Sequence, residues 1–260
     1  MQNNDQKQIA GAILIVGVLI AGAILLKDAK APTKEEAKVN AAANTTTVAP
    51  VGKGDNTIGD PNAKLTIVMY EDFQCPFCGA VTGLELNSPA MKPVMDYLKS
   101  NNPNWAPSIP EIMKYVEKGD VLFVYRDFTF LGEFVKPYVA EADESINAAN
   151  AARCAGDQGK FWEFHDYLYS HQNGENEGGF ARPKLKSFAK TLNLDTLSFD
   201  KCLDSNKYVQ TIIDSKKEGT SAGVTGTPKG FILKNGKVVA TIDGAEPLSS
   251  VKIKIDAALK

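Results

Sequence analysis

The sequence predicts an α/β domain whose sheet is built in two instalments around a helical insert, carried behind an N-terminal membrane-spanning helix. Three observations predict it. An unbroken run of 18 residues from Ile9 to Leu26 contains only Ile, Leu, Val, Ala and Gly. Two β-prone segments, Leu65 to Tyr70 (LTIVMY) and Val121 to Tyr125 (VLFVY), are separated by helical sequence. A hairpin signal, Asn235-Gly236, lies between Phe231-Ile232-Leu233 and Val238-Val239-Ala240 near the C-terminus.

Residues 1–8 form a short polar tail. The following run, 9–26, reaches roughly 27 Å as a helix, close to the hydrocarbon thickness of a bilayer. It is longer than the usual core of a signal peptide, and Pro32 would follow a cut at Ala29-Lys30-Ala31, so an uncleaved signal-anchor is expected, with a cleaved leader as the alternative. Residues 27–57, rich in Ala, Thr, Lys, Glu and Asn without apolar periodicity, are expected to be a flexible linker. Lys7 precedes the span, whereas Lys27, Lys30, Lys34 and Lys38 follow it, a count that favours a cytoplasmic C-terminus. The cysteines, below, argue for the opposite side.

Residues 58–260 are expected to form one domain. Asp60-Pro61-Asn62 punctuates the start of the first strand, and Lys118-Gly119-Asp120 the start of the second. Between them a helix begins near Cys75, a proline-rich irregular stretch covers about 86–108, and a helix spans about 110–117. Strand, helix, strand in that order implies a right-handed parallel crossover. Strand signals vanish over about 137–219, where Ala140 to Ala155, Lys160 to Tyr169, Arg182 to Leu192 and Tyr208 to Glu218 read as helices. After the hairpin, Pro247 opens a last helix with Leu248, Val251, Ile255, Ala258 and Leu259 on one stripe.

Composition removes several function classes. With 29 basic against 31 acidic side chains the chain has no electrostatic case for nucleic acid. Two histidines cannot supply a His-rich metal site; no metal and no cofactor is expected. Chemistry concentrates instead in Cys75-Pro76-Phe77-Cys78, placed where a strand ends and a helix begins. A thiolate is the species that attacks a disulfide, and unpaired N–H groups at a helix N-terminus stabilise it. Pro76 is harmless in a first turn, where its missing N–H would have no partner. The two-residue spacing sets both sulfurs on one turn, with Cys75 outermost as nucleophile and Cys78 deeper as resolving thiol. Half of a zinc site is the rival reading, but Cys154 and Cys202, 48 positions apart, do not form a second close pair.

The blocks FQCPFC, YVEKGDVLFVYRDF, GKFWEFHDYLY, FDKCLDS and GVTGTPKGFI, in this order over about 58–260, resemble the DsbA-like thiol:disulfide oxidoreductases of the thioredoxin superfamily. The resemblance implies a thioredoxin fold (β-α-β, inserted helical domain, β-β-α) that acts outside the cytoplasm. By resemblance Cys75 attacks, Cys78 resolves, and Pro228 is a cis-proline whose neighbour Thr227 pairs its backbone with an extended substrate chain; plain punctuation before a strand is the alternative. It implies reduced or unfolded proteins as substrates, a membrane quinone-linked reoxidase as partner, and a monomer; oxidation is the expected direction, since no dimerisation domain of the isomerase kind precedes the domain. A reductase or isomerase using the same site, and a non-catalytic tethered chaperone, are the alternatives.

Departures from the family pattern matter. Phe77 stands where founding members have histidine, which removes a cation near Cys75 and points to a less oxidising pair. Met69 stands six residues before Cys75, where many relatives have glutamate. Glu71, of the same strand parity, is a candidate proton acceptor, an exposed loop acid being the alternative. The 86–108 stretch is longer than usual, with Trp105 expected to pack rather than face substrate. Cys154 and Cys202 fall where some relatives have a structural disulfide; bonded, they would clamp the insert by about 3–4 kcal/mol and favour an oxidising compartment, and free buried thiols are the alternative. His165 and His171 are expected to be packing or surface residues, and Arg126-Asp127 a local ion pair.

Overall fold

The computed structural model describes residues 46–134 and 143–260. The 9–26 span and most of the linker lie outside the described residues; among those described, no helix is long and apolar enough to cross a membrane.

In chain order the elements are β1 (Asn56–Ile58), β2 (Leu65–Glu71), α1 (Pro76–Thr82), α2 (Lys92–Asn101), α3 (Ile109–Glu117), β3 (Val121–Asp127), a 3-10 turn (Leu131–Phe134), α4 (Glu144–Gly156), α5 (Phe161–Ser170), α6 (Arg182–Thr191), α7 (Thr196–Asp204), α8 (Val209–Ser221), β4 (Lys229–Lys234), β5 (Lys237–Asp243) and α9 (Leu248–Leu259). Among the described residues the sheet runs β1-β3-β2-β4-β5. β2 and β3 are parallel, as the crossover required, and β4 and β5 add antiparallel. This is the mixed sheet the resemblance implies.

β2 and β3 sit centrally because both faces of each are apolar. Leu65, Ile67 and Met69 pack with Ile112, Tyr115 and Val116 of α3 and Val251 and Ile255 of α9. Val68 and Tyr70 face the other way, onto Phe128, Ala222 and Val224. Asn235 and Gly236 both take positive φ (54° and 73°), as a two-residue primed turn demands.

The helical insert, α4 to α8, packs around Ala148, Ala151, Ala152, Phe164, Leu168, Phe199 and Leu203. Its alanines let α4 be buried along nearly its whole length. Asp143 caps α4 by accepting from the Ile146 N–H at 3.0 Å. Cys154 and Cys202 are joined by a disulfide with Cα atoms 5.8 Å apart, stapling α4 to α7.

Several expectations need correction. The linker was expected to run to residue 57, but residues from Val48 onward belong to the domain: Val48 is buried, and β1 pairs antiparallel with β3. Apolar periodicity missed this segment because polar groups hold it. The Arg126 guanidinium donates to both Asp55 carboxylate oxygens and to the Ala49 and Pro50 carbonyls. The Arg126-Asp127 ion pair is not formed, since neighbouring strand residues point to opposite faces. Arg126 pairs with Asp55 and Glu218, Asp127 with Arg153. The stretch 86–108, expected to be irregular, contains α2, whose Pro93 lies in its first turn where proline is tolerated. Trp105 packs, as expected, and its indole N–H donates to the Ala245 carbonyl at 2.8 Å.

Candidate active site

β2 delivers the chain to the sheet's end, and the four residues after Glu71 turn it into α1. Asp72 shapes that turn. Its buried carboxylate accepts from the N–H groups of Gln74 (3.0 Å), Phe130 (3.0 Å) and Leu131 (3.2 Å). Its carbonyl accepts from the Cys75 N–H at 2.9 Å. Cys75 is thereby the N-cap of α1, with Pro76 in the first turn. From the insert, the Gln172 amide donates to the carbonyls of Phe73 (2.6 Å) and Cys75 (3.1 Å). Gly79 leaves room for this amide, since a Cβ there would lie 2.5 Å from Gln172 Oε1 and displace it.

Cys75 and Cys78 are free thiols, 4% and 0% exposed, so Cys75 is the outer of the two. Opposite them, Thr227-Pro228 is cis. Cys75 Sγ lies 3.4 Å from the Thr227 carbonyl oxygen. The proline loop is tied to the end of β5, where Gly244 N–H donates to the Pro228 carbonyl at 3.0 Å. The two sequence features thus come together from positions 152 residues apart.

Glu71 is not an exposed acid: it is 1% exposed, and its charge acts on the Cys78 thiol. Burial pushes its carboxyl above the usual range, partly offset by His165 and by the Tyr169 hydroxyl. That hydroxyl donates to Glu71 Oε2 at 2.7 Å, while Oε1 has no hydrogen-bond partner among the described residues. Burial also pushes the Cys78 thiol well up, with the Cys75 and Glu71 charges adding to it. A Cys78 thiolate therefore needs a proton, and a neighbouring carboxyl holds its own more firmly than usual. Met69, at the family's glutamate position, instead packs in the sheet core.

Sequence reasoning did not single out Gln172, Tyr169 or Tyr97. Tyr97 of α2 meets Phe77 edge-on with ring centroids 5.9 Å apart, so the extra helix leans on the CPFC motif itself. His165 does pack, as expected, among Phe73, Tyr125, Phe161, Trp162 and Tyr169, but it also acts electrostatically on Glu71. The i, i+4 spacing of His165 and Tyr169 was the available signal that both share one helix face. Among the described residues no cluster of His, Cys, Asp and Glu is arranged to hold a metal ion.

A family model described as Thioredoxin matches residues 52–88 and 104–253. The interval it skips contains α2. The structure resembles that of Wolbachia pipientis alpha-DsbA1 with a TM-score of 0.59 and 21% identity, covering 81% of this chain and 92% of that one. It resembles oxidised BdbD from Bacillus subtilis with a TM-score of 0.59 and 22% identity, covering 83% and 99%. Among relatives by sequence, a Salinispora arenicola protein named Na(+)/H(+) antiporter NhaA 1 is 29% identical over 179 residues, which are 68% of this chain but 21% of that protein. The chain thus spans about a fifth of the length of such relatives. A Rickettsia bellii protein named as a protein-disulfide oxidoreductase is 23% identical over 184 residues, 70% of this chain and 58% of that one.

Proposed function

The chain belongs to the thioredoxin family, and on that premise we propose that it is a membrane-tethered, extracytoplasmic thiol:disulfide oxidoreductase that oxidises cysteine pairs of folding proteins. The observation that carries this reading is the meeting of Cys75, at the N-terminus of α1, with the Thr227 carbonyl of the cis-proline loop. A nucleophilic sulfur and the backbone of the cis-proline loop lie side by side, as exchange with an extended chain requires.

In the oxidised enzyme Cys75 and Cys78 are bonded. A substrate thiolate attacks Cys75 Sγ, the S–S electron pair leaves on Cys78, and Glu71 supplies the proton that this buried sulfur needs. The substrate's second thiolate then attacks its own sulfur in the mixed disulfide and expels Cys75 as thiolate. Two electrons have entered the enzyme, and the substrate leaves with a disulfide. Backbone groups of Thr227, set by the cis bond to Pro228, hold the substrate chain during both attacks. A membrane quinone-linked oxidase is the partner proposed to withdraw the electrons.

Tethering rests on the apolar run 9–26. The extracytoplasmic side is supported by the Cys154–Cys202 bridge, a bond that persists in oxidising compartments. One observation favours a second reading, reduction or isomerisation by the same site: Phe77, seated on Tyr97, puts no cation beside Cys75. Replacing Cys75 by Ser should abolish catalysed oxidation of a reduced protein; turnover equal to wild type would overturn the assignment. Labelling of intact cells with an impermeant thiol reagent after reduction tests the side of the membrane, and protection of the domain would place it in the cytoplasm.

A further inference from the structure

Residues 89–103 lie outside the stretches matched by the family model, and they carry α2. This helix is firmly seated. Met91, Met95 and Leu98 are buried with Ala80 and Val81 of α1 and with Trp105. Beyond α2 the chain is fastened to the loop between β5 and α9: the Trp105 indole N–H donates to the Ala245 carbonyl at 2.8 Å, and the Leu248 N–H donates to the Ala106 carbonyl at 2.9 Å. That loop also holds the cis-proline loop, through the Gly244 N–H and the Pro228 carbonyl. The segment carrying α2 is thus fixed to both halves of the active site.

Tyr97 is left out of that packing. It is 42% exposed, and its ring meets Phe77 edge-on with centroids 5.9 Å apart. A lone exposed apolar side chain, such as Leu197 on α7, needs no partner. Tyr97 differs in being joined to the residue between the two cysteines. Cys75 itself is only 4% exposed. The surface that solvent meets beside it is made by Pro76 and Phe77 of the motif and by Gly226 and Thr227 of the proline loop, all half-buried. A chain that reaches Cys75 lies on these residues, and Tyr97 extends their surface.

We propose that Phe77 and Tyr97 form an aromatic shelf that receives an aromatic or large apolar side chain next to the reacting cysteine of the substrate, which makes Tyr97 a specificity-determining residue supplied by α2. This rests on the reading of Cys75 as the sulfur that exchanges with an extended protein chain along Thr227. The reach fits. Residues of an extended chain advance by about 3.3 Å each, so a neighbour of the cysteine bonded to Cys75 is within side-chain reach of the first turn of α1. An edge-on pair presents one ring's face and the other's edge, the two surfaces against which a third ring packs. The opposite flank of α1 offers no such surface. Gly79, about 200° round the helix from Phe77, faces Gln172, whose amide is engaged by the Phe73 and Cys75 carbonyls. The shelf also suits the state of the substrate: cysteine is among the most buried residue types, and its apolar neighbours are presented with it only before folding is complete.

The test uses the full chain, oxidised at Cys75–Cys78, and two synthetic peptides that each carry a pair of cysteines and differ only in the residue after the first, Phe in one and Ser in the other. In a single turnover the peptide dithiol becomes a disulfide while the enzyme disulfide becomes two thiols, and acid quenching with mass spectrometry follows both. Wild type should react about tenfold faster with the Phe peptide, the weight of one aromatic contact. In Tyr97→Ala and Tyr97→Gln that ratio should fall to about twofold, whereas Tyr97→Phe should keep the wild-type ratio. Taking the ratio within each variant cancels any general loss of activity. Absence of a preference in wild type, or an unchanged ratio in both Tyr97→Ala and Tyr97→Gln, overturns the shelf. A ratio lost in Tyr97→Phe also overturns it, because the hydroxyl and not the ring would then select. If neither peptide nor dithiothreitol reduces the wild-type pair, the oxidoreductase reading itself fails.

Discussion

Removing the Cys154–Cys202 bridge should lower the stability of the domain by about 4 kcal/mol without changing its fold. The bonded residues are 48 apart in sequence. A loop of that size, closed in the unfolded chain, removes about 13–14 cal/mol/K of chain entropy, or about 4 kcal/mol at 25 °C. For a domain of this size each kcal/mol moves the melting midpoint by about 2–4 °C, so a shift of about 8–16 °C is expected. The perturbation is the double variant Cys154→Ala/Cys202→Ala, and the assay is thermal unfolding by circular dichroism without reductant. Both sulfurs are buried, and lost packing would also lower the midpoint. Wild type in strong reductant separates the two causes, because it loses the bond and keeps the atoms. If loop closure is responsible, its midpoint falls to that of the double variant. A midpoint that stays within about 2 °C of the untreated protein, once mass spectrometry shows the bridge open, refutes the clamp.

Other expectations concern single residues. Burial raises the Glu71 carboxyl above its unfolded value, so the folded state binds a proton that the unfolded state has released. Wild-type stability should therefore fall as pH rises from the ordinary glutamate value of about 4.3 through the raised one. Glu71→Gln should match wild type in acid and gain on it towards neutral pH in urea titrations; a pH-independent difference contradicts this. Arg126→Met should free residues 48–55 and cost about 3–5 kcal/mol, because Asp55 keeps a largely buried charge without its partner. Trypsin should then cut at Lys53 faster than in wild type, and equal cutting would show that the segment is held by other contacts. Gly219→Ala puts a Cβ 2.9 Å from both Phe128 and Tyr70 carbons, and should cost about 1–3 kcal/mol by overpacking, read as a lowered urea midpoint; an unchanged midpoint would mean that the two rings yield freely.

What was legible in the chain follows from how each feature is encoded. β2 and β3 were legible as apolar runs, the β4–β5 turn as Asn235-Gly236, and α9 as a stripe after Pro247. β1 was not, because three residues of edge strand carry no period and depend on β3 and on Arg126 anchoring the preceding loop. α2 was masked by prolines that in fact flank or open it. At the site, local spacing sufficed to place Cys75 and Cys78 on one turn. Glu71 remained open between two readings, since its burial comes from α5, about a hundred residues downstream. Gln172 shows the same limit: a surface-type residue after a helix, it becomes part of the active-site turn only when the insert folds back over α1.

Equilibrating the protein in glutathione buffers of graded potential, then trapping and mass-mapping the thiols, puts the Cys75–Cys78 assignment at risk. A single two-electron transition confined to Cys75 and Cys78 is expected, with the 154–202 bridge intact throughout. A midpoint between about −230 and −120 mV, from the glutaredoxin range up to that of the strongest oxidants, is the expected result for an oxidant whose dipeptide carries Phe77. A midpoint near −270 mV would reverse the proposed direction of electron flow. Thiols that stay reduced across the whole range would contradict the redox role of the pair.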